Sequence, residues 1–312
     1  MMNLVTLAAL GVAAALPTPV PAEGWNHWQV ATVHSIESMG CKRNGKFDLS
    51  RPQGMSISMH EDDDARRFDV VNLYAEIEKG ELVTLHLLTP DCTVTGASVK
   101  SLNDMSPDAS LDWLSAQLAD PQDHELIQVL MAAIALHPQS RATTLLAQQA
   151  ELDHERIWQP ALFWLANFRA AEGEAVVMQH LQPERSVEHR RHATVVLGLT
   201  GSESGVAKVR DVALNDASAE VRGHALFALT MADEPGTVAF IDTVLRTDTA
   251  DEVRQQAIFA LSQIDNTAAV EVLKRLLQDP SYGEHRRSVL FWLAQMHDSE
   301  GGQIIEDLAE SM

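Results

Sequence analysis

The chain has 312 residues, with 23 Lys plus Arg against 44 Asp plus Glu, a net charge of −21 at pH 7. That balance excludes nonspecific binding to nucleic acid, which needs cations to displace phosphate counterions. Hydrophobic residues at 46% with aromatics at only 5% suit a folded, Ala-, Leu- and Val-rich helical protein and exclude a disordered one.

In chain order, the first element is a processing segment. Leu4 to Leu16 is an uncharged apolar run, too short to span a bilayer, which takes about 20 residues, but of the length of a secretory signal core. Val20-Pro21-Ala22 places small residues at −3 and −1 of a cut before Glu23. The expectation is therefore a signal peptide over 1–22, cleavage after Ala22 and a periplasmic or secreted protein; an uncleaved anchor or a mis-assigned start are the alternatives. Nothing later in the chain reads as a membrane span.

Export gives meaning to the only two cysteines, Cys41 and Cys92. In an oxidising compartment two lone thiols are most simply a disulfide, and closing a loop of this length stabilises a fold by about 4 kcal/mol on the chain-entropy model. Two unrelated buried thiols are the other reading. Around them, residues 23–105 alternate with period two. Val71, Leu73, Ala75 and Ile77 share one strand face, and Val83, Leu85 and Leu87 resume the pattern after Lys79-Gly80, which predicts a β-hairpin. Trp28 to Val33 and the Met55, Ile57, Met59 alternation predict further strands. Glu61 to Asp64 followed by Arg66 and Arg67 is read as a solvated charged loop, because the alternating oxygen ligands of a calcium loop are missing.

From 106 to 312 the periodicity is helical. Ala161, Ala193, Ala225 and Ala257 stand 32 residues apart and Val289 continues the series. Around them recur Glu188, Glu220, Glu252 and Glu284, then Arg190, Arg222, Arg254 and Arg286. Each such helix alternates with another amphipathic one, as at Val206–Leu214, Val238–Leu245 and Ala269–Leu277. Leu111–Leu118 with Glu125–Leu136, and Arg141–Ala150 with Arg156–Asn167, make degenerate earlier pairs. This predicts about six helical hairpins, with Gln303 to Leu308 as a final cap. The stripe Val221, Ala225, Ala228, Leu229 and Ala232 is small enough for close helix approach, and a single hairpin cannot bury it, so the unit propagates by stacking.

In these residues the chain resembles the HEAT-repeat family, particularly its short bacterial, phycobilisome-lyase-like form, over roughly 109–310. The resemblance implies an all-α superhelical solenoid, here preceded by a small mainly-β domain as in exported bacterial HEAT-repeat proteins. It also implies a non-catalytic scaffold that binds a protein or peptide partner. Two enzymatic relatives, chromophore lyases and the iron-dependent deoxyhypusine hydroxylase, supply the alternative reading, and a structural component of an envelope assembly a third. The hydroxylase pairs His with Glu at the starts of the second helices. The comparable positions here are His192-Ala193 and His224-Ala225, without the carboxylate, while His124-Glu125 and His154-Glu155 lie outside the register.

The Glu and Arg columns are read as a structural ladder, since residues demanded by every repeat serve stacking. Phe163, Phe227, Phe259 and Phe291 form a second column, expected either to wedge between consecutive second helices or to line the concave surface. Trp164 and Trp292 are read as filling at the ends of the stack. Departures from the repeat on the exposed side of the second helices are the expected binding positions: Arg191, His192, Gly223, His224, Gln255, Gln256 and Arg287. Gly201 to Gly205 resembles a nucleophile elbow only superficially, with Glu203 where the nucleophile belongs. No catalytic residue, cofactor or metal site is assigned.

Overall fold

The computed structural model describes residues 20–37, 39–41, 45–51, 66–118, 123–232 and 234–296. The chain divides into two compact units, Met1–Ala142 and Thr143–Met312. Helices begin near 106, as the periodicity indicates, but compactness places the first two of them with the sheet.

In the first unit β1 (Gly24–Glu37), β3 (Arg67–Glu78), β4 (Glu81–Leu88) and β6 (Val99–Ser101) form one sheet in the order β4-β3-β1-β6, and β2 (Lys46–Asp48) pairs with β5 (Thr93–Thr95). β3 and β4 make the expected hairpin. Its turn is Lys79 and Gly80, with φ of 56° and 81°, the left-handed pair that matches strand twist. Val71, Leu73, Ala75, Leu85 and Leu87 are buried as the alternation requires, but Val83 is 48% exposed. A bulge explains it: Ile77 pairs with Leu82 and Glu76 with Thr84, which leaves Val83 unopposed.

Cys41 and Cys92 form a disulfide with Cα atoms 5.7 Å apart. Beside it Gly40, at φ +80°, lies so close to Leu87 that a Cβ would meet its carbonyl oxygen at 2.6 Å. Two helices cover the sheet, α1 (Pro107–Gln117), capped by Ser106, and α2 (His124–Leu136), capped by Asp123. A buried polar link joins them to β1: the Trp28 indole donates to Ser110 Oγ at 2.8 Å, and His137 Nε2 lies 3.0 Å from the same oxygen. The predicted Met55–Met59 strand and the charged loop at 61–65 fall outside the described residues.

Next come α3 (Ser140–Ala150), which begins at the division, α4 (Glu155–Phe168), α5 (Ala170–Gln179), α6 (Val187–Thr200), α7 (Glu203–Asn215), α8 (Ala219–Met231), α9 (Thr237–Thr247), α10 (Asp251–Ser262), α11 (Thr267–Gln278) and α12 (Arg286–Gln295). Within the second unit α5/α6, α7/α8, α9/α10 and α11/α12 make consecutive packed pairs of a solenoid. The second helices α4, α6, α8, α10 and α12 pack on one another in succession. Their repeated positions Ala161, Ala193, Ala225, Ala257 and Val289 are completely buried. Small side chains set how closely these helices approach: a Cβ on Gly198 of α6 would meet the Ala228 carbonyl oxygen of α8 at 2.5 Å. The expected cap at Gln303–Leu308 lies outside the described residues.

Candidate interaction surface

The arginine column is built from the turns as much as from the helices. Arg190 grips Asp216 through Nε and Nη2 at 2.8 and 3.0 Å, and its remaining nitrogen donates to the Arg185 carbonyl at 2.6 Å. One repeat later Arg222 does the same with Asp248, at 2.7 and 3.2 Å, and with the Asp216 carbonyl at 2.9 Å. The aspartates also receive backbone N–H groups at the starts of the second helices, from Ser218 at 2.8 Å and Ala250 at 2.9 Å. The hydrogen bond from Arg222 holds the Asp248 carboxyl below its usual range, and Asp216 raises Arg190. In the next repeat Pro280 stands where the aspartate would be, and the Arg254 guanidinium lies over the Tyr282 ring, 5.1 Å from its centroid. Arg286 is exposed.

The glutamate column takes a different part. Glu188, Glu252 and Glu284 are exposed at the helix starts, and Glu220 pairs across the stack with Arg191 at 3.0 Å. Sequence reasoning missed Asp216 and Asp248 although they, too, stand 32 residues apart.

The expected binding positions follow consecutive second helices but do not share one environment. Gln255 and Arg287 are exposed, and the Gln255 amide donates to Asp251 at 2.8 Å. Half-buried His192 and His224 each turn a ring nitrogen to a backbone carbonyl, of Gln159 and of Glu220, both at 3.0 Å. Gly223 is a correction. It is buried where α8 crosses α10, and a Cβ there would meet Gln256 side-chain atoms at 2.8 and 2.9 Å. Its repeat departure serves close packing, not an exposed face.

The phenylalanine column is half-buried with its rings in file. The Phe227 and Phe259 centroids are 5.5 Å apart, Phe259 and Trp292 5.0 Å, and Trp292 and Phe291 5.0 Å. The rings thus wedge between consecutive second helices while keeping an edge outward, and Phe291 is 55% exposed. Trp164 is buried against Phe163 and Phe168.

His189 and His192, which their i, i+3 spacing pairs on one helix face, join Trp158 and His180 in a cluster that the sequence did not indicate. Trp158 occupies the position that Arg190, Arg222 and Arg254 fill in later repeats, and His189 stacks on it at 3.9 Å. His192 meets the same indole edge-on, and fully buried His180 lies 6.0 Å from His189. Burial pushes the His180 imidazole down to about 4, and lowers His189 and His192 as well. The Trp in an arginine column was the visible signal. Among the described residues no three His, Cys, Asp or Glu side chains come together as a metal site. Ser202, in the elbow-like segment, caps α7 by accepting from the Gly205 N–H at 2.9 Å.

A family model of HEAT repeats matches residues 206–294 and 239–311. These residues are HEAT repeats. The match falls on the pairs whose arginine, alanine and phenylalanine columns are most regular. Human deoxyhypusine hydroxylase in complex with glycerol is similar at 15% identity and TM-score 0.31, covering 58% of this chain and 83% of that one. An engineered protein is similar at 20% identity and TM-score 0.33, covering 64% and 87%. Neither similarity carries an argument about chemistry. No curated protein matches the chain.

Proposed function

We propose that this HEAT-repeat protein is an exported, non-catalytic scaffold that holds a protein or peptide partner along the outward edges of its second helices. The observation that carries the reading is the aromatic file Phe227, Phe259, Trp292 and Phe291, packed in its interior and open at Phe291. Aromatic anchors of this kind, flanked by polar and charged side chains such as Gln255 and Arg287, are what partner surfaces use. The ladder and the alanine column are consumed in holding the stack, so they leave the outward edge as the variable face. Export is supported by the signal-like segment before Glu23 and by the Cys41–Cys92 disulfide, which belongs to oxidising compartments. Among the described residues no helix is long and apolar enough to cross a membrane.

The test is capture from a native envelope fraction, comparing the wild-type chain with Phe291→Asp/Arg287→Glu. Both side chains are exposed, so the thermal midpoint should stay unchanged while the captured partner is lost. Equal capture by the variant would remove this edge from the interface.

A further inference from the structure

Leu199 and Met231 are exposed, at 37% and 39%, and stand 32 residues apart at the ends of α6 and α8. They belong to a longer pattern. On α8, Glu220, His224, Phe227 and Met231 fall at i, i+4, i+7 and i+11, within about 60° of one another at about 100° per residue. The same offsets lead from Glu188 to Val195 and Leu199 on α6, and from Glu252 to Phe259 on α10. Each helix thus presents a carboxylate at its start and an apolar side chain in its second half, on one line along its outward side.

Stacking turns these lines into two rows. The exposed carboxylates Glu188, Glu220 and Glu252 form one. Half-buried Val195, Phe227 and Phe259, extended by Leu199 and Met231, form the other, which begins about 10 Å further along the helix axes. The Phe227 and Phe259 rings, with centroids 5.5 Å apart, make the apolar row continuous from α8 to α10. The carboxylates are only partly balanced. Arg191 pairs with Glu220 at 3.0 Å, while Glu188 and Glu252 make no ion pair among the described residues.

We infer that this face of α6, α8 and α10 receives a cationic amphipathic helix of a protein partner, its apolar side on Val195, Phe227 and Phe259 and its lysines or arginines toward Glu188 and Glu252. The inference rests on the outward edge of the second helices being the interface, and adds the chemistry of what that edge holds. Packed helices lie about 8–10 Å apart, close to the rise of about 10.5 Å between residues i and i+7 of one helix. A helix laid along the stack therefore sets an apolar side chain over each helix beneath it, every second turn. A wholly apolar segment would desolvate two carboxylates and give them no partner. An acidic segment, or an anionic membrane surface, would face the same carboxylates and a chain of net charge −21.

Titration calorimetry of the full chain tests this with three end-capped peptides of about 18 residues. They are a leucine–lysine amphipathic helix, a scramble of it whose leucines share no helical face, and a leucine–glutamate counterpart. Saturable binding of the first is expected, roughly tenfold or more tighter than of the scramble, with none of the third. Leu199→Gln/Met231→Gln, which copies the Gln263 of α10, should lose roughly tenfold in affinity with an unchanged thermal midpoint. Glu188→Gln/Glu252→Gln should weaken binding about threefold and flatten its dependence on salt. Glu203→Gln/Asp265→Asn removes two exposed carboxylates from elsewhere on the solenoid and should not weaken it. The proposal is overturned by no saturable binding of the lysine peptide, or by equal binding of the scramble or the glutamate peptide. Unaltered affinity in either of the first two variants, or equal weakening in the third, overturns it as well. The capture experiment alters α12 alone, so loss of capture there without peptide binding here would keep the edge as an interface and reject only the cationic helix as its occupant.

Discussion

At the scale of single residues, the Arg190–Asp216 pair shows how one contact serves three purposes. Both side chains are nearly buried, at 8% and 7% exposure, and the fork geometry fixes their orientation. The same carboxylate receives the Ser218 N–H at the start of α8, and the guanidinium satisfies the Arg185 carbonyl. Removing the acid leaves a desolvated cation and an uncapped turn. Asp216→Ala should therefore destabilise by about 3 kcal/mol, in the range for breaking a buried pair. Glu188→Gln, an exposed change nearby, should stay within about 0.5 kcal/mol. Urea midpoints of the two variants check this, and a loss below about 1 kcal/mol for the aspartate would show that solvent replaces the contact. The arginines were legible because they repeat within an unmistakable helical word. The aspartates repeat equally well, but they sit in turns, where Asp is common for reasons of backbone geometry alone.

At the scale of elements, the stack is governed by what the second helices lack. Gly198 has no Cβ because the Ala228 backbone of the next helix occupies that space, and Gly223 is pressed on Gln256 in the same manner. Replacing Gly198 by alanine pits two effects against each other. Helix propensity favours alanine by about 1 kcal/mol, while overpacking costs about 1–3 kcal/mol. The obstructing atom belongs to backbone and cannot rotate away, so the steric cost should win. Gly198→Ala is expected to lower the denaturation midpoint, and a gain in stability would mean that the helices have room to separate. Periodicity revealed the alanine column for the same physical reason, since only small residues allow such approach. It misread Gly223 as a surface departure because a missing side chain looks alike on a wheel whether solvent or a neighbouring helix faces it. In the sheet, alternation located the hairpin but not the bulge at Val83, whose extra residue alters pairing without altering composition.

At the scale of the whole molecule, helix pairing was legible because a 32-residue period recurs. The histidine cluster of the second unit was not: His180 is distant in sequence from Trp158 and gains its burial from the fold. That cluster makes stability depend on pH. The unfolded chain takes up a proton on His180 near the ordinary value of 6.5, whereas the folded chain resists it until about 4. Every step of acidification across that interval favours the unfolded state. Burial sends His189 and His192 in the same direction. Glu151, Asp242 and Asp248 are held below their ordinary values by arginines, so their stabilisation is lost only in stronger acid. The interval from about 6.5 to 4.5 is therefore set by the histidines, with Glu76, raised by burial and by Glu78, acting in the opposite direction. By pH 4 the His180 contribution should reach on the order of 3 kcal/mol, seen as a falling urea midpoint. His180→Leu keeps an apolar side chain in the buried site and removes the titration, so its profile should be flatter over the same interval. A wild-type midpoint that stays level from pH 7 to 5 would show that Glu151, whose Oε1 lies 3.5 Å from His180 Nε2, or water holds the charged imidazole in the folded chain.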